Sequence, residues 1–457
     1  MRKIYFYISV VFIMLFAACG DSDLEPTLSN DIDVELGIHN LEDLQGIANG
    51  MHDRMTVTTY YGRNIQIYGE VRSDNCFANG KSGRFLSEAG MAVNPDNSNG
   101  PWEAMYAVIA SANIIIQQDM SKILGDTDVL NQIAGQAHIA RAMAHFDLLR
   151  LYGQQHASGT LGIPYIKKYR GQEFSPLRSS VEENKKDIFE DIETGLGLMS
   201  EAHNPKAKHF ISTYAGYALK ARVALYFGEW EMAKSAAQII VQSKKFEIAD
   251  TTNFIGSWKT KGAANSIFEL AFSTTDNNGF NSLQFIYRGP TYGDIEVLDD
   301  LLTIFDDADI RKSSAMIGYE TDGENQRLRN IGKYPSADYS DNIALMRYEE
   351  VVLILAEAMI ELGESDALEI LNLIPAKRGA LPYNSATKAN VLLERRKELC
   401  FEGFRFDDLA RTGSDIPLVD QFRQTHGGPK YGSYNYAFPI PTAELNANSN
   451  MVQNNLK

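Results

Sequence analysis

The amino-acid sequence predicts a mainly α protein, a tetratricopeptide-like helical superstructure with long irregular loop insertions and a small β-hairpin. Apolar residues return every three or four positions in long blocks, which is the period of a helix with one buried face. Strand-like alternation is rare, and two segments have the pattern of helical hairpins. The clearest helical blocks are residues 102–120, 132–153, 180–201, 211–244, 347–373 and 388–411.

The two hairpin segments support the repeat architecture. Residues 214–241 carry small alanines at helical spacing, and Gly228 interrupts the pattern before a second apolar stripe. Residues 348–374 repeat this order, with Gly363 at the turn. Helical hairpins of this kind pack mainly on their neighbours, so a chain of 457 residues can form one continuous body.

Local signals fix several helix ends. Ser180 followed by Glu183 is a capping box, which satisfies free amides at the start of a helix. Gly153 and Gly379 each follow an apolar helical pattern and are predicted to end it.

Two long segments, residues 55–101 and 246–340, lack helical periodicity and are rich in Gly, Asn, Asp, Ser and aromatic residues. Both are much longer than ordinary connections, so we expect loop insertions that carry binding groups. Within the second segment, residues 266–272 are predicted to pair with residues 283–288 in a small hairpin, across the turn-rich residues 276–279.

The N-terminus has the features of an export signal. Residues 1–18 combine a basic start with a short apolar run, and Ala17-Ala18-Cys19 is similar to a bacterial lipobox. We therefore expect a lipoprotein signal peptide, lipidation of Cys19, a flexible acidic tether over residues 19–30 and a helical domain over residues 31–457. The alternative is an ordinary signal peptide with an incidental cysteine.

Charge and missing motifs exclude several classes of function. The formal charge is −16, and −18 once Arg2 and Lys3 are removed with the signal peptide, which disfavours nucleic acid as a partner. The sequence contains no His-Glu-x-x-His pair, no Gly-x-Ser-x-Gly elbow and no Walker phosphate loop. We therefore expect no metal site, no cofactor and no catalytic residue.

The two remaining cysteines, Cys76 and Cys400, are expected to be buried free thiols, although a disulfide between them is an open alternative in an exported protein. A run of charged residues at helical contact spacing is interpreted as a partly buried ion network, the alternative being a recognition face. Its members are Arg395, Arg396, Glu398, Glu402, Arg405 and Asp407.

Aromatic residues in the loop segments are the candidate ligand contacts. A sugar presents flat C–H faces ringed by hydroxyls, so its receptor needs an aromatic platform with polar partners nearby. The alternative is that these residues pack their own loops. The candidates are Arg72, Asp74, Asn75, Phe77, Trp258, Tyr287, Arg288 and Tyr292.

Four stretches give the sequence its resemblance to the SusD/RagB family of nutrient-binding outer-membrane lipoproteins. They are ARAMAHFDLLRLYG (140–153) followed by GIPYI (162–166), RYEEVVLILAEAMIELG (347–363), ERRKELCFEGFRFDDLAR (394–411) and YAFPIPTAELNANSNMVQN (436–454). Residues 246–340 match the family only loosely, so the ligand is left open.

The resemblance implies a lipid-anchored protein on the surface of the outer membrane that captures an oligosaccharide or glycan and delivers it to a SusC-type TonB-dependent transporter. It implies no catalysis. A peptide ligand within the same family is the first alternative. A surface glycan-degrading enzyme and a purely structural scaffold are the others.

Overall fold

The computed structural model describes residues 37–169 and 175–456, and helices predominate in both ranges. The predicted signal peptide, Cys19 and most of the tether lie outside them. In chain order the α-helices are α1 (Leu41–Asp53), α2 (Asn64–Val71), α3 (Leu86–Ala89), α4 (Asn99–Ile116), α5 (Thr127–Tyr152), α6 (Val181–Leu198), α7 (Thr213–Tyr226), α8 (Trp230–Ser243), α9 (Phe254–Ser257), α10 (Leu283–Arg288), α11 (Asp300–Thr303), α12 (Tyr348–Glu361), α13 (Ala367–Arg378), α14 (Lys388–Leu399), α15 (Arg405–Arg411) and α16 (Thr442–Ala447).

The long helices pack as successive antiparallel pairs, as the apolar period predicts. α5 packs against α4 and α6, α7 against α8, and α12 against α8, α13 and α14. Both predicted hairpins are confirmed: α7–α8 and α12–α13 turn at Gly228 and Gly363, each with a φ of +72°, a conformation that glycine adopts without steric cost. The mainly α, tetratricopeptide-like fold class is therefore confirmed.

The predicted helix ends are also confirmed. Ser180 and Glu183 form the capping box at the start of α6, with both reciprocal hydrogen bonds present. Gly153 follows α5 directly. Gly379 follows α13 with a left-handed φ of +69° and ends that helix.

The strands form three antiparallel pairs of two strands each within the described residues. β1 (Cys76–Ala78) pairs with β3 (Ile295–Val297), β2 (Ser266–Leu270) with β6 (Ile343–Arg347), and β4 (Ile317–Asp322) with β5 (Asn325–Asn330). The first two pairs join segments that are distant in sequence. The β1–β3 pair in particular brings the two long insertions together.

The predicted hairpin between residues 266–272 and 283–288 is wrong. Residues 283–288 form α10, whose start is capped by the Ser282 side chain accepting a hydrogen bond from the Phe285 amide. β2 pairs with β6 instead, and all five of its residues are buried. β2 is buried on both faces although it contains Ser266 and Glu269, so its sequence has no apolar–polar alternation that identifies a partner.

The insertion at residues 55–101 contains more helix than its sequence predicted. All eight residues of α2 are buried, including Asn64, Gln66 and Glu70. A helix that is buried on every side has no apolar stripe, and the periodicity test cannot detect it. The segment is therefore a folded part of the interior and not a free loop.

A buried ion network centred on Glu398 of α14 joins the second half of the chain. Its carboxylate accepts hydrogen bonds from Arg378 at 2.9 Å and from Arg347 and Arg311 at 3.1 Å. Burial alone would raise the pKa of Glu398, but the three guanidinium charges hold it well below its ordinary value.

The same network extends along the chain. Glu402 binds Lys333 at 2.6 Å, and Arg395 binds Asp408 at 2.9 Å. The predicted interpretation of residues 395–407 as a partly buried ion network is thus confirmed. Cys76 and Cys400 are both buried free thiols, as expected, and burial raises the pKa of Cys400 to about 12.

Because Glu398 is buried against three arginines, Glu398→Gln should lower the free energy of unfolding at pH 7 by about 3–5 kcal/mol. The carboxylate titrates near pH 4.3 when unfolded and lower when folded, so its contribution is present above that pH and is lost as pH falls. Urea unfolding at pH 7 and pH 4 measures both effects. The difference in the free energy of unfolding between wild type and Glu398→Gln should be smaller at pH 4 than at pH 7.

The matched control is Glu42→Gln, an exposed residue in the first turn of α1, which should change stability by about 0.5 kcal/mol or less. Equal stability of Glu398→Gln and Glu42→Gln at pH 7 would contradict the role assigned to the network.

Candidate functional site

Three of the sequence-predicted ligand residues lie in the interior. Arg72 is 1% exposed and donates to the backbone carbonyl of Tyr436 at 2.9 Å, with its guanidinium 3.6 Å from the ring of Phe406. Asp74 is 2% exposed and Asn75 is fully buried. These side chains were predicted to be loop residues because they are polar, but inside the fold they hydrogen-bond backbone carbonyls and charged side chains of other segments.

The partners of Asp74 and Asn75 come from the charged helices α14 and α15. Asp74 accepts two hydrogen bonds from Arg405, at 2.7 and 2.9 Å, and Asn75 accepts one from Arg396 at 2.9 Å. Burial would raise the pKa of Asp74, yet its hydrogen bonds from Arg405 and the charge of Arg396 keep it below its ordinary value. The pair therefore joins the first insertion to the end of the helical body.

Phe77 and Tyr287 are buried as well. Phe77 lies in β1, and Tyr287 packs edge-on against Phe401 at 5.7 Å between ring centroids. Since neither ring faces solvent, we place Phe77 and Tyr287, with the three polar residues above, outside the candidate site.

Trp258 lies apart from the other candidates. Its ring is partly buried beneath two cations, with Lys333 Nζ 4.6 Å and Arg347 Cζ 5.0 Å from the ring. The indole borders a recess that Lys261, Glu269 and other residues line. The ring thus packs on the ion network and is not available as an open stacking surface.

Arg288 and Tyr292 are the two predicted residues at the surface, and Tyr292 belongs to a cluster of aromatic rings. We define the aromatic platform as Phe280, Phe285, Tyr292 and Tyr339. Phe280 stacks on Phe285 at 4.7 Å and 28°, and is 62% exposed. Tyr292 and Tyr339 stand edge-on to Phe285 at 5.3 and 5.9 Å.

The backbone that holds the platform is strained at two positions. Tyr334 and Tyr339 have φ values of +57° and +64°, which β-carbon-bearing residues seldom adopt. Such strain persists where surrounding contacts impose it, and it concentrates at functional sites. Tyr339 is a platform residue, and both tyrosines line the adjacent recess.

That recess lies beside the platform and has room for about one water-sized group, with a volume of about 20 Å³. Asn278, Ser282 and Gln284 contribute polar groups to its wall. The Gln284 side-chain oxygen is buried and accepts no hydrogen bond, so it offers an unused acceptor to a hydroxyl donor. The recess can therefore receive one hydroxyl-sized group of a molecule that rests on the platform.

Cations surround the platform. The Arg84 guanidinium lies 3.8 Å from the ring of Tyr292, and Arg63 donates to the side-chain oxygen of Asn281 at 3.1 Å. Lys81 pairs with Asp322 of β4 at 2.8 Å. Arg288 binds Glu320 on the same strand. These groups can hydrogen-bond the rim of a ligand whose face rests on the rings.

The chemistry available at the platform is stacking and hydrogen bonding. Among residues 37–169 and 175–456, no group of three or more His, Cys, Asp or Glu side chains is placed to hold a metal ion. The charged groups at the rim are Arg63, Arg84 and the ion pairs Lys81–Asp322 and Arg288–Glu320, an arrangement suited to recognition.

The sequence analysis did not single out Phe280, Phe285, Tyr339 or Arg84. One usable signal was present, because the turn-rich residues 276–279 are followed at once by an aromatic residue. The prediction of a strand at residues 283–288 concealed this signal. These residues instead form α10, which places Phe285 beside Phe280.

Comparison with known proteins identifies the family. The model of the SusD family matches residues 325–456, and a second model, described as starch-binding associating with outer membrane, matches residues 24–225. This chain belongs to the SusD/RagB family. All four stretches that resemble SusD proteins lie within the matched ranges. Residues 140–166 lie in the second range, and the other three stretches, which include residues 347–363, lie in the first.

Individual SusD-like proteins extend the match to nearly the whole chain. The SusD-like protein P2 of Formosa agariphila is 25% identical, with 97% of this chain and 98% of that protein aligned. The starch-binding protein SusD of Bacteroides thetaiotaomicron is 32% identical over 31% of this chain and 27% of its own. A SusD superfamily structure from Bacteroides vulgatus superimposes with a TM-score of 0.83 at 26% identity, covering 91% of this chain and 99% of that one.

The contrast between buried Asp74 and exposed Phe280 can be tested by stability alone. Asp74→Asn leaves the buried Arg405 without its carboxylate partner, while Arg396 keeps Asp300, and it should lower the free energy of unfolding by about 3–5 kcal/mol. Phe280→Ala removes a mostly exposed ring and should lower it by about 1 kcal/mol or less. Chemical denaturation of the purified soluble domain measures both. If Phe280→Ala lowers the free energy of unfolding as much as Asp74→Asn does, then Phe280 has a structural role.

Proposed function

We propose that this SusD-family protein is a surface nutrient-binding lipoprotein that captures a glycan on the aromatic platform and delivers it to a SusC-type TonB-dependent transporter. The observation that carries the proposal is the exposure of Phe280 within a cluster of four rings. A single exposed ring is ordinary, but Phe280 is exposed as part of a cluster of four rings, and an exposed apolar cluster favours binding.

The platform suits a sugar better than a deep-bound cofactor. Pyranose rings stack on aromatic faces through their C–H groups, and their hydroxyls need donors and acceptors around the rim. Phe280 supplies the exposed face and is supported from below by the buried ring of Phe285, and Gln284, Arg84 and Arg63 supply polar groups. The small recess restricts contact to one side of the ligand, which favours capture over catalysis.

The membrane part of the proposal rests on the N-terminal motif and the family. Cys19 follows a signal-like segment, and the matching family model is described as associating with the outer membrane. Within the described ranges, none of the helices is both apolar enough and long enough to cross a bilayer. Acylation of Cys19 is therefore the proposed means of attachment, with residues 19–30 as the tether.

Phe280→Ala and Tyr292→Ala should each weaken glycan binding by about tenfold, because each removes a stacking surface of order 1–1.5 kcal/mol. Isothermal titration calorimetry against a panel of oligosaccharides and peptides provides the measurement. Phe422→Ala is the matched control, since Phe422 is 88% exposed but lies outside the platform, and it should bind as wild type does.

The same titrations separate the alternatives. Binding of peptides but not of glycans would replace the proposed ligand class and keep the capture role. Conversion of a bound glycan to shorter products by wild type, and not by Phe280→Ala, would show an enzyme. Binding that none of the platform variants weakens would move the site elsewhere.

Cys19→Ala should shift the protein from the outer-membrane fraction to the soluble fraction, because the acyl chains provide the proposed membrane attachment. Cell fractionation and mass spectrometry of the mature N-terminus measure this. The TonB-dependent transporter should co-purify with detergent-extracted wild-type protein. Unchanged membrane retention of the variant would contradict the anchor, and purification of wild type without a transporter would contradict delivery.

A further inference from the structure

Two arginines at the platform have no carboxylate partner. Arg63 and Arg84 form no ion pair with any residue of the two described ranges, although 59 Asp and Glu residues outnumber 43 Lys and Arg in the chain. The other cations at the rim are paired, Lys81 with Asp322 and Arg288 with Glu320. Arg72 and Arg178 also form no ion pair with the described residues but donate to backbone carbonyls, whereas Arg63 and Arg84 lie together at the partly exposed rim.

The geometry of Arg84 leaves its donors free. Its guanidinium stacks on the ring of Tyr292, with Cζ 3.8 Å from the centroid, and Nη1 is buried without a hydrogen-bond acceptor. A stacked guanidinium directs its N–H groups outward in its own plane, which is the direction that a planar oxyanion needs for a bidentate contact.

Arg63 is held nearby by neutral acceptors only. Its Nε donates to the Asn64 side chain at 2.8 Å and its Nη1 to the Asn281 side chain at 3.1 Å. Neither amide neutralises its charge. Asn281 directly follows Phe280, so this contact fixes Arg63 at the edge of the platform.

The two guanidiniums are close enough to repel each other. Burial lowers the pKa of Arg63, and the positive charge of Arg84 lowers it further. Tyr68, Glu88 and Asp294 act in the opposite direction and raise the pKa of Arg63. Asp294 is itself buried, with one carboxylate oxygen accepting from the Ser82 amide and the other without a partner. Glu88 and Asp294 therefore offset the positive charge of Arg63 electrostatically but form no ion pair with it.

We propose that the platform's glycan carries an anionic substituent, a uronic acid carboxylate or a sulfate ester, which Arg63 and Arg84 bind while the sugar ring stacks on Phe280. The inference rests on the proposed function and names the substrate class of that site. Both substituents present oxygens that guanidinium groups bind through charge-assisted hydrogen bonds. Binding would also relieve the repulsion between the two arginines.

The test uses the purified soluble domain and three probes, which are an oligogalacturonate, a sulfated dextran oligosaccharide and neutral maltoheptaose. Wild type should bind at least one acidic probe more tightly than maltoheptaose, and that affinity should fall as salt is raised from 50 to 500 mM. The first two probes distinguish carboxylate from sulfate. Arg63→Gln and Arg84→Gln should each lower the affinity for the acidic probe about tenfold and change the affinity for maltoheptaose less than twofold.

Two further variants serve as controls for the role of the arginines. Arg84→Lys keeps the charge but loses the stacked planar fork, so it should recover only part of the affinity for the acidic probe. Arg423→Gln is the matched control, because Arg423 also lies over an aromatic ring, that of Phe77, but is paired with Asp299 and Asp420. It should leave binding of the acidic probe unchanged.

The outcomes of the two proposals can be told apart. Equal or tighter binding of maltoheptaose, with loss in Phe280→Ala, would overturn the anionic substrate and leave glycan capture in place. Tight acidic binding that Arg63→Gln and Arg84→Gln do not weaken would also overturn it. Acidic binding that Phe280→Ala leaves intact, while the arginine variants lose it, would support the anion contact and count against the platform. Failure of both acidic probes to bind overturns the inference.

Discussion

The carboxylate of Glu398, buried against three arginines, is the constraint on which the second half of the structure depends. Arg311 reaches it from the long insertion, Arg347 from the start of α12 and Arg378 from the end of α13. A buried charge without partners is very unfavourable, so these segments must arrive together. Lys333 adds a second tie from the insertion, to Glu402. The segment that carries the platform is thereby attached to the frame at two points, through Arg311 to Glu398 of α14 and through Lys333 to Glu402 just after that helix.

This attachment explains which features the sequence could predict. Helices with one buried face have a period, and α7, α8, α12 and α13 were found from it. The spacing of Glu398 and Glu402 indicated an ion network, but nothing local identifies Arg311 or Lys333 as their partners. Long-range pairing is set by the packed fold, so β2 was given the wrong partner and α10 the wrong conformation.

The candidate site shows the same limit. Asp74 and Asn75 have the composition of an exposed turn, and only the packed structure reveals the arginines of α14 and α15 against them. The platform is assembled from rings up to 59 positions apart, from Phe280 to Tyr339, and its rim from the other insertion. Composition predicted that the insertions carry the binding groups, and the proposed platform lies in them. It could not indicate which of their aromatic residues face solvent.

The helical frame and the two insertions therefore differ in what constrains their sequences. The stacked helical pairs follow the family pattern, and the match to other SusD-like proteins extends along nearly the whole chain at modest identity. Short strands and ion pairs attach the insertions to this frame. Residues there can change without disturbing the helices, provided that anchors such as Arg311 and Lys333 remain.

The shallowness of the recess has a kinetic consequence. With space for about one hydroxyl, it encloses no part of a polymer, and the opposite side of a bound chain stays hydrated. Under the proposed function, a polysaccharide resting there would meet no wall at its ends, so it could slide along its length or lift off sideways. A long polymer would then be held by rapid rebinding at successive units.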